Sequence, residues 1–341
     1  MNTRIGLGAA LVLGFALLGS SVAVADDAPL TLEQIHAAAL AQAKERKEGW
    51  AGKLTLGATG SWSQNSNVVG SPDGATVQLG TLIDGLLEHV EGQGTWSSTL
   101  KIQEAQARTP VIDSWTKSSD LLDLTSMYFY RLKSLDWVGP YGRVRGTTQA
   151  FAGELTKPAG YTVKYLRADG TTPTTTFAGQ KFTRLTDPFD PVMFGEAVGL
   201  FANPTESTAI NVRLKIGAAS QQLLTSGGFT LADDAKTPEI EVKQLRNAVQ
   251  VGAEGEVALD GKIGSDLSWK AKGAVFMPIY TSLANAATGI DALNTDVAAA
   301  VSYKLAKWLS VDYVLTAKKV PLVVDKWQVF NGVVLTTGFA L

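Results

Sequence analysis

Hydrophobic and polar residues alternate with a period of two along most of the chain after residue 50. Between residues 120 and 133, for example, Leu122, Leu124 and Tyr128 share one parity, while Asp123 and Thr125 share the other. This alternation predicts β-strands with one apolar face and one polar face. Segments with the same pattern predict strands at 53–62, 75–90, 95–107, 120–133, 137–151, 209–221, 243–259, 265–280, 294–306, 309–320 and 328–341.

The predicted strands are long. They run to about 12 to 17 residues, whereas strands in globular proteins most often have about 5 or 6. A tilted strand of about 9 to 11 residues is enough to cross a bilayer. Charged residues make up only 18% of the chain, and glycine contributes 34 of its 341 residues. Strand length and composition together favour a transmembrane β-barrel over a soluble sandwich.

Short and long connections alternate between these strands. The short turns are expected at 91–94, 134–136, 203–206, 260–264 and 307–308, and the long connections at 64–74, 108–118, 152–188, 223–241, 281–293 and 321–326. The alternation requires one more strand at 190–202, although the pattern of that segment is weak. An even strand number with short periplasmic turns and longer outer loops is typical of bacterial outer-membrane barrels. We therefore predict an all-β fold, a closed antiparallel transmembrane β-barrel of about 12 strands over residues 50–341.

Residues 1–25 have the pattern of a cleaved secretory signal peptide. Arg4 precedes an apolar run at 5–18, and small residues end the segment. The apolar run is shorter than the roughly 20 residues of a membrane-spanning helix. Residues 26–49 then predict a short periplasmic helix and linker that begin with a capping box of the form T-x-x-Q. The expected location is the bacterial outer membrane.

Charged residues of the inward parity define the candidate functional site. The candidate lumen-lining residues are Lys101, Arg131, Arg143, Arg145, Arg213, Lys215, Arg246, Asp84, Glu88, Asp123, Glu254 and Glu256. In one interpretation they line a narrow or gated channel for small solutes, in which a mild excess of cations favours anions. In the other they pair across the lumen and fill it, which gives an occluded structural or surface-docking barrel without transport activity. Strand number alone does not separate the two interpretations.

Neither catalysis nor a cofactor is expected. The chain has two histidines, His36 and His89. If the following turn pairs Val90 with Thr95, His89 lies opposite Trp96 on the lipid-facing parity, so it has no serine partner for nucleophilic catalysis. The absence of cysteine and of paired histidines leaves no metal-ligand spacing. A net charge of −2 without a basic run argues against nucleic acid as a partner.

The expected partners are outer-membrane lipid and, during biogenesis, the barrel-assembly machinery. Outward-facing aromatic residues near strand ends predict the girdles that membrane proteins place at the lipid–water interface. These residues are Trp62, Trp96, Tyr128, Tyr130, Tyr303 and Tyr313.

The longest connection, 152–188, is too rich in aromatic residues for simple disorder. Segments 162–165 and 175–177 alternate like two arms of a hairpin that extends the neighbouring barrel strands beyond the membrane. Loops of more than about 12 to 15 residues are usually functional or disordered. We therefore expect an ordered outer hairpin or an inward-folded loop that caps the mouth and contacts small solutes or an external ligand.

Three segments also resemble a known family. They are GWAGKLTLGATGSWSQNSNV at 49–68, WTKSSDLLDLTSMYFYRL at 115–132 and LTDPFDPVMFGEAVGLFANP at 185–204. Over most of residues 49–341 the sequence resembles an uncharacterised family of bacterial outer-membrane β-barrels known only as a domain of unknown function. The resemblance implies a barrel fold and supplies no reaction, ligand or site.

Overall fold

The computed structural model describes residues 48–65, 74–232, 236–284, 286–306 and 309–340. The predicted signal peptide at 1–25 and the predicted N-terminal helix lie outside these residues.

The described chain is built from strands of two length classes. In chain order they are β1 (Gly49–Asn65), β2 (Gly74–Glu91), β3 (Gly94–Thr109), β4 (Ile112–Tyr130), β5 (Val138–Thr148), β6 (Gly153–Leu155), β7 (Tyr161–Leu166), β8 (Thr174–Phe177), β9 (Thr183–Thr186), β10 (Val192–Glu206), β11 (Asn211–Leu224), β12 (Phe229–Leu231), β13 (Ile240–Gln244), β14 (Ala248–Ile263), β15 (Leu267–Thr281), β16 (Asn294–Ala306), β17 (Leu309–Val320) and β18 (Val324–Ala340).

The long strands form one antiparallel ring. Their order is β1-β18-β17-β16-β15-β14-β11-β10-β5-β4-β3-β2, which gives twelve strands in a closed barrel. β1 pairs with β2 from Gly49↔Val90 to Asn65↔Gly74, and its other edge pairs with β18 from Thr55↔Ala340 to Gly60↔Leu335. Because every strand has a neighbour on each side, the barrel leaves no open edge.

The alternating sequence pattern separates the two faces of the wall. In β4, Asp123 and Thr125 are buried inside, whereas Leu124 and Tyr128 are each 51% exposed on the outer surface. The weak segment at 190–202 is indeed a barrel strand, β10, paired with β5 and β11.

One predicted long connection is wrong. β3 and β4 continue through most of 108–118, and only Pro110 and Val111 lie between them. Register shifts near Ala105 and Ala107 let the two strands stay paired there despite the broken alternation. The broken pattern therefore came from irregular pairing and not from a loop.

The connections after β5 and after β11 fold together into a small domain on the loop side of the barrel, which we call the cap (residues 153–186 and 229–244). The predicted hairpin exists, because Tyr161 pairs with Phe177 and Lys164 with Thr174. It does not extend the barrel strands as expected. Instead β7 pairs in parallel with β13 from the other connection, in a four-stranded sheet of order β12-β13-β7-β8. A core of buried side chains joins both segments: Leu155, Tyr161, Val163, Leu185, Leu231 and Val242.

Helical structure in the described ranges is a single 3-10 turn, Gly289–Ala292. No helix among the described residues has the length and apolar character needed to cross a membrane.

Candidate functional site

The barrel strands place most of the predicted lumen-lining residues on the inner face of the wall. Asp84 is 3% exposed and Asp123 is 8% exposed. The residues with inward parity on the described strands are Asp84 and Glu88 on β2, Lys101 on β3, Asp123 on β4, Arg143 and Arg145 on β5, Arg213 and Lys215 on β11, and Glu254 and Glu256 on β14.

Arg246 is a correction to the sequence-based prediction. It is exposed in the connection between β13 and β14 and does not line the lumen. The sequence predicted one continuous strand at 243–259, but β13 belongs to the cap and the barrel strand begins only at Ala248.

Arg131 lies at the turn-side entrance of the barrel and not along the wall, because β4 ends at Tyr130. Its Nη1 donates a 2.9 Å hydrogen bond to the backbone carbonyl of Asp136, and its Nη2 lies 3.2 Å from Glu206 Oε1. The guanidinium also lies 6.0 Å from the ring centroid of Phe201. Arg131 therefore organises the turn-side entrance of the barrel.

The most distinctive contact inside the barrel joins β5 to β14. Tyr141 Oη donates a 2.5 Å hydrogen bond to Glu254 Oε1, and Arg143 Nη2 donates a 2.5 Å hydrogen bond to Glu254 Oε2. We call these three residues the lumen bridge. It passes over β10 and β11, which lie between β5 and β14 in the ring.

Glycines make room for the lumen bridge. Tyr141 pairs with Gly199, Gly199 with Gly217, and Gly217 with Glu254, so the two side chains reach over two residues without side chains. A Cβ on Gly199 would lie 2.1 Å from the carbonyl oxygen of Ile216, and a Cβ on Gly217 would lie 2.4 Å from that of Val198. The backbones of β10 and β11 therefore require glycine at this level.

Further ion pairs continue from the lumen bridge around the inner wall. Lys215 Nζ lies 2.7 Å from Glu256 Oε1. Lys272 Nζ lies 3.5 Å from Asp296 Oδ2 and 4.0 Å from Glu256 Oε2, so it sits between two carboxylates. These contacts extend the chain of charges from β11 through β14 and β15 to β16.

Asp123 is held by a second group of donors on β4 and β5. Arg145 Nε donates a 2.6 Å hydrogen bond to Asp123 Oδ2, and Thr147 Oγ1 donates one of 2.9 Å to the same oxygen. Thr125 Oγ1 donates a 3.0 Å hydrogen bond to Asp123 Oδ1. This carboxylate is thus satisfied by its own wall and not by a residue across the lumen.

Sequence reasoning missed Asp260 as a lumen residue, because it was assigned to the turn at 260–264. The structure extends β14 to Ile263, and Asp260 pairs with Arg213 in the barrel interior. The signal was present, since Asp260 continues the even parity of Glu254 and Glu256.

A cavity of about 170 Å³ lies in the lumen on the loop side of the lumen bridge. Its lining combines apolar surface with charged and polar side chains, and includes Arg143, Arg145, Gln221, Lys272, Asn294 and Phe276. A cavity of about 150 Å³ holds a molecule such as benzene, so this one has room for a small solute or several waters.

Apolar side chains cover the loop-side end of this cavity. Leu223, Leu245 and Ala248 are buried together at the mouth, and Met193, Leu283, Leu322 and Val323 pack against them. Leu322 and Val323 come from the connection between β17 and β18, while Leu223 ends β11. Because β11 and β17 are separated by three strands of the ring, this mouth cluster spans part of the opening.

Aromatic rings fill part of the turn-side half of the lumen. The rings of Phe129 and Phe201 meet edge to face at 5.1 Å, and those of Phe129 and Tyr141 lie 6.3 Å apart. The mouth cluster, the lumen bridge and these rings thus occupy different levels of the lumen between its loop side and its turn side.

The outer surface carries aromatic residues at the turn-side end of the wall. Tyr128, Tyr130, Tyr303 and Tyr313 of the predicted girdle are exposed there. The side chain of Trp62 lies outside the described part of the structure. As expected, Val90 pairs with Thr95 and His89 with Trp96; the His89 ring lies 4.6 Å from Trp50, which itself lies 5.5 Å from Trp96. His89 therefore belongs to this outer belt.

Buried polar contacts fasten the cap to the barrel rim. The Asp120 carboxylate on β4 accepts 2.8 Å hydrogen bonds from the backbone N–H groups of Ala150 and Phe151 and one of 2.9 Å from Lys117 Nζ. Asp190, just before β10, accepts a 2.6 Å hydrogen bond from Ser226 Oγ, which follows β11. Both connections that form the cap are thus fixed where they leave the wall.

Two titratable groups of the cap are perturbed. Burial raises the pKa of the Tyr165 phenol. Hydrogen bonds from Thr171 lower the pKa of the exposed Asp169 carboxyl at the tip of the β7–β8 hairpin. Within the described ranges, no three His, Cys, Asp or Glu side chains are grouped as metal ligands.

No family model matches the chain, and no curated protein is similar to it. Among solved structures, it is similar to an outer-membrane channel from Pseudomonas putida F1, with 10% identity over 86% of this chain and 95% of the other, and a TM-score of 0.39. The translocator domain of the autotransporter NalP from Neisseria meningitidis matches with 9% identity over 90% and 94% of the two chains and a TM-score of 0.36. The NanC porin matches with 9% identity over 84% and 98% and a TM-score of 0.35. At these identities and TM-scores, the similarities assign no family and no function to the chain.

Proposed function

We propose that this chain is an outer-membrane β-barrel whose lumen forms a narrow, gated channel for small solutes with a mild preference for anions. The outer wall supports the membrane part of the proposal. Its exposed residues form an apolar band that includes Leu124, Val144, Val198, Leu200, Ile216, Val257 and Ile279. A closed ring of paired strands also satisfies the backbone hydrogen bonds that lipid cannot satisfy.

The lumen bridge is the observation that carries the channel function. Burying ion pairs costs desolvation free energy, and apolar residues of similar volume often give an equally stable or a more stable interior. A barrel that served only as a scaffold would therefore gain little from Arg143 and Glu254. A charged, narrow interior instead suits the passage of hydrated ions and polar solutes, which such side chains select by charge.

The balance of inward charges supports a preference for anions. Lysine and arginine outnumber aspartate and glutamate at the inward positions of the described strands. The cations are Lys53, Lys101, Arg143, Arg145, Arg213, Lys215, Lys262, Lys270, Lys272, Lys304 and Lys318, and the carboxylates are Asp84, Glu88, Asp123, Glu254, Glu256, Asp260, Asp296 and Asp312. Because Arg143 and Glu254 pair in the lumen bridge and neutralise each other, the expected preference for anions is mild.

The mouth cluster and the lumen bridge together support gating. They lie on the loop side and on the turn side of the cavity, and apolar constrictions can close a pore by excluding water. In this proposal the channel is closed in the structure, and the cavity between the apolar barrier and the charged one is the site for a solute.

Single-channel recording in planar bilayers tests this proposal. Purified chain should give discrete conductance steps, and the reversal potential in a salt gradient should indicate a preference for chloride over potassium. A membrane-integrated, folded barrel that never conducts would contradict the channel function.

A second function is favoured by the cap. It has its own hydrophobic core and is fastened to the rim by buried polar contacts, so it is a stable surface for an external ligand. In this alternative the barrel is occluded and serves as an anchor for surface docking. Absence of conductance, combined with loss of binding to a cell-surface partner when residues 153–186 are removed, would favour this alternative.

A further inference from the structure

The carboxylate of Glu196 faces outward from the apolar wall, at the fifth residue from the loop-side end of β10. Glu196 on β10 is exposed on the outer surface, and the outward neighbours along its strand are Phe194 on one side and Val198 on the other. Val144 on the adjacent β5 pairs directly with it and is 46% exposed. If the barrel spans a membrane, as proposed above, this carboxylate lies within the lipid-facing band, where charged side chains are destabilising.

The contacts within the chain satisfy only part of this group. Ser220 on β11 donates a 2.8 Å hydrogen bond to Glu196 Oε2. Among the described residues, no donor lies within hydrogen-bond distance of the other carboxylate oxygen. On a lipid-facing wall, the unsatisfied oxygen of Glu196 favours a hydrogen-bond donor from outside the chain.

A matching donor is present on the same face. Gln222 lies two residues after Ser220 on β11 and pairs with Phe194, so its amide is outward and diagonal to Glu196. Its side chain makes no hydrogen bond within the described ranges. Gly146 on β5 also pairs with Phe194, and the position of its missing Cβ is open space, so another wall can approach closely there.

We propose that this face, centred on Glu196 and Gln222, is the interface with a second copy of the same chain in the membrane. Acceptor and donor lie on one patch, so a two-fold axis brings Glu196 of each copy against Gln222 of the other. Such a self-complementary patch is what an isologous dimer requires. A different membrane protein would need an unrelated donor at this position, and lipid acyl chains would supply none. This inference rests on the proposed membrane location.

Cross-linking in native membranes tests the interface, because the chain contains no cysteine. Val198→Cys places a thiol beside Glu196, and Leu335→Cys places a matched thiol on the exposed face of β18, on the opposite wall of the ring. A short bis-maleimide should convert the Val198 variant, but not the Leu335 variant, to a product of twice the monomer mass. Adding Glu196→Leu to the Val198 variant should reduce that product to the level of the control.

Three outcomes would overturn the inference. They are a cross-linked product whose mass does not correspond to two copies, equal cross-linking of the two variants, and a product that Glu196→Leu leaves unchanged. The outer-membrane fraction and the heat-modifiable folded band are measured on the same samples. If the chain is absent from that fraction, the proposed function fails and the inference fails with it. If the barrel is integrated and only the cross-link is missing, the inference alone fails.

Discussion

Tyr141 and Glu254 are joined by a 2.5 Å hydrogen bond that crosses two strands of the barrel. At the level of this bond both intervening strands carry glycine, which leaves the path between β5 and β14 free of side chains. The same carboxylate also accepts a hydrogen bond from Arg143. Glu254 on β14 therefore binds both a neutral donor and a cationic donor from β5, three strands away in the ring.

Glu254→Gln should increase the anion preference of the channel. The amide keeps the size of the side chain but removes the negative charge that faces Arg143, so the local potential in the lumen becomes more positive. The reversal potential in a salt gradient is the measurement. Glu154→Gln makes the same change of charge at an exposed position of the cap and should leave selectivity unaltered. An equal shift in both variants would place the selectivity filter elsewhere.

Leu322→Ser should raise the open probability. The substitution puts a hydroxyl into the mouth cluster, where it favours water in a constriction that is otherwise apolar. Recordings at constant voltage measure the change. Ile290→Ser is the matched control, because Ile290 is 79% exposed in the 3-10 turn and lies outside the mouth cluster. If gating is the same in all three proteins, the mouth cluster is not the gate.

If Leu214 lies near the bilayer midplane, Leu214→Arg should lower the free energy of unfolding by about 2–4 kcal/mol, because an outward side chain at that depth contacts lipid. Leu214→Met preserves the apolar contact and should have little effect. The heat-modifiable band in detergent or urea titration in vesicles gives the measurement. Arg213→Leu is not a neutral comparison, since it leaves the Asp260 carboxylate, 4% exposed, without its cation. A stable Leu214→Arg barrel would show that this face does not contact lipid.

Val163→Asp should unfold the cap and leave the barrel intact. Val163 is fully buried in the cap core, where an unpaired carboxylate cannot be solvated. Limited proteolysis should then cut within 153–186 while the folded barrel band persists. Thr175→Asp, on the exposed strand β8, should remain resistant. Loss of the barrel band with Val163→Asp would mean that cap and barrel fold as one unit.

Thr172→Cys should be labelled by a membrane-impermeant thiol reagent on intact cells, and Ser134→Cys should be protected until the outer membrane is opened. Thr172 is exposed in the cap, and Ser134 is exposed in the turn between β4 and β5 at the other end of the barrel. The reverse labelling pattern would invert the predicted orientation.

The sequence alone predicted the strands, their number and the inward or outward direction of most side chains. It could do so because direction along a strand alternates locally, so that neighbours such as Arg213 and Leu214 reveal their opposite surroundings without any tertiary information. The same rule applied to the end of β14 identifies Asp260. The residues around Asp260 also favour a turn, and for that reason Asp260 was assigned to the turn at 260–264 and not to the strand.

Only the tertiary structure decided which of these residues meet. Glu254 accepts hydrogen bonds from residues more than a hundred positions earlier in the sequence, and nothing local in β5 or β14 specifies that partnership. The cap is similar, since β7 and β13 come from different connections and pair in parallel, which no hairpin pattern predicts. The lumen position predicted for Arg246 was wrong for the same reason. Its segment continues the alternation of β14, but the strand that precedes it, β13, pairs with strands of the cap. Alternation with a period of two follows from the local geometry of the strand backbone, so the sequence shows it directly. Contacts between side chains on different strands depend on how the ring closes and on where glycine leaves space for them.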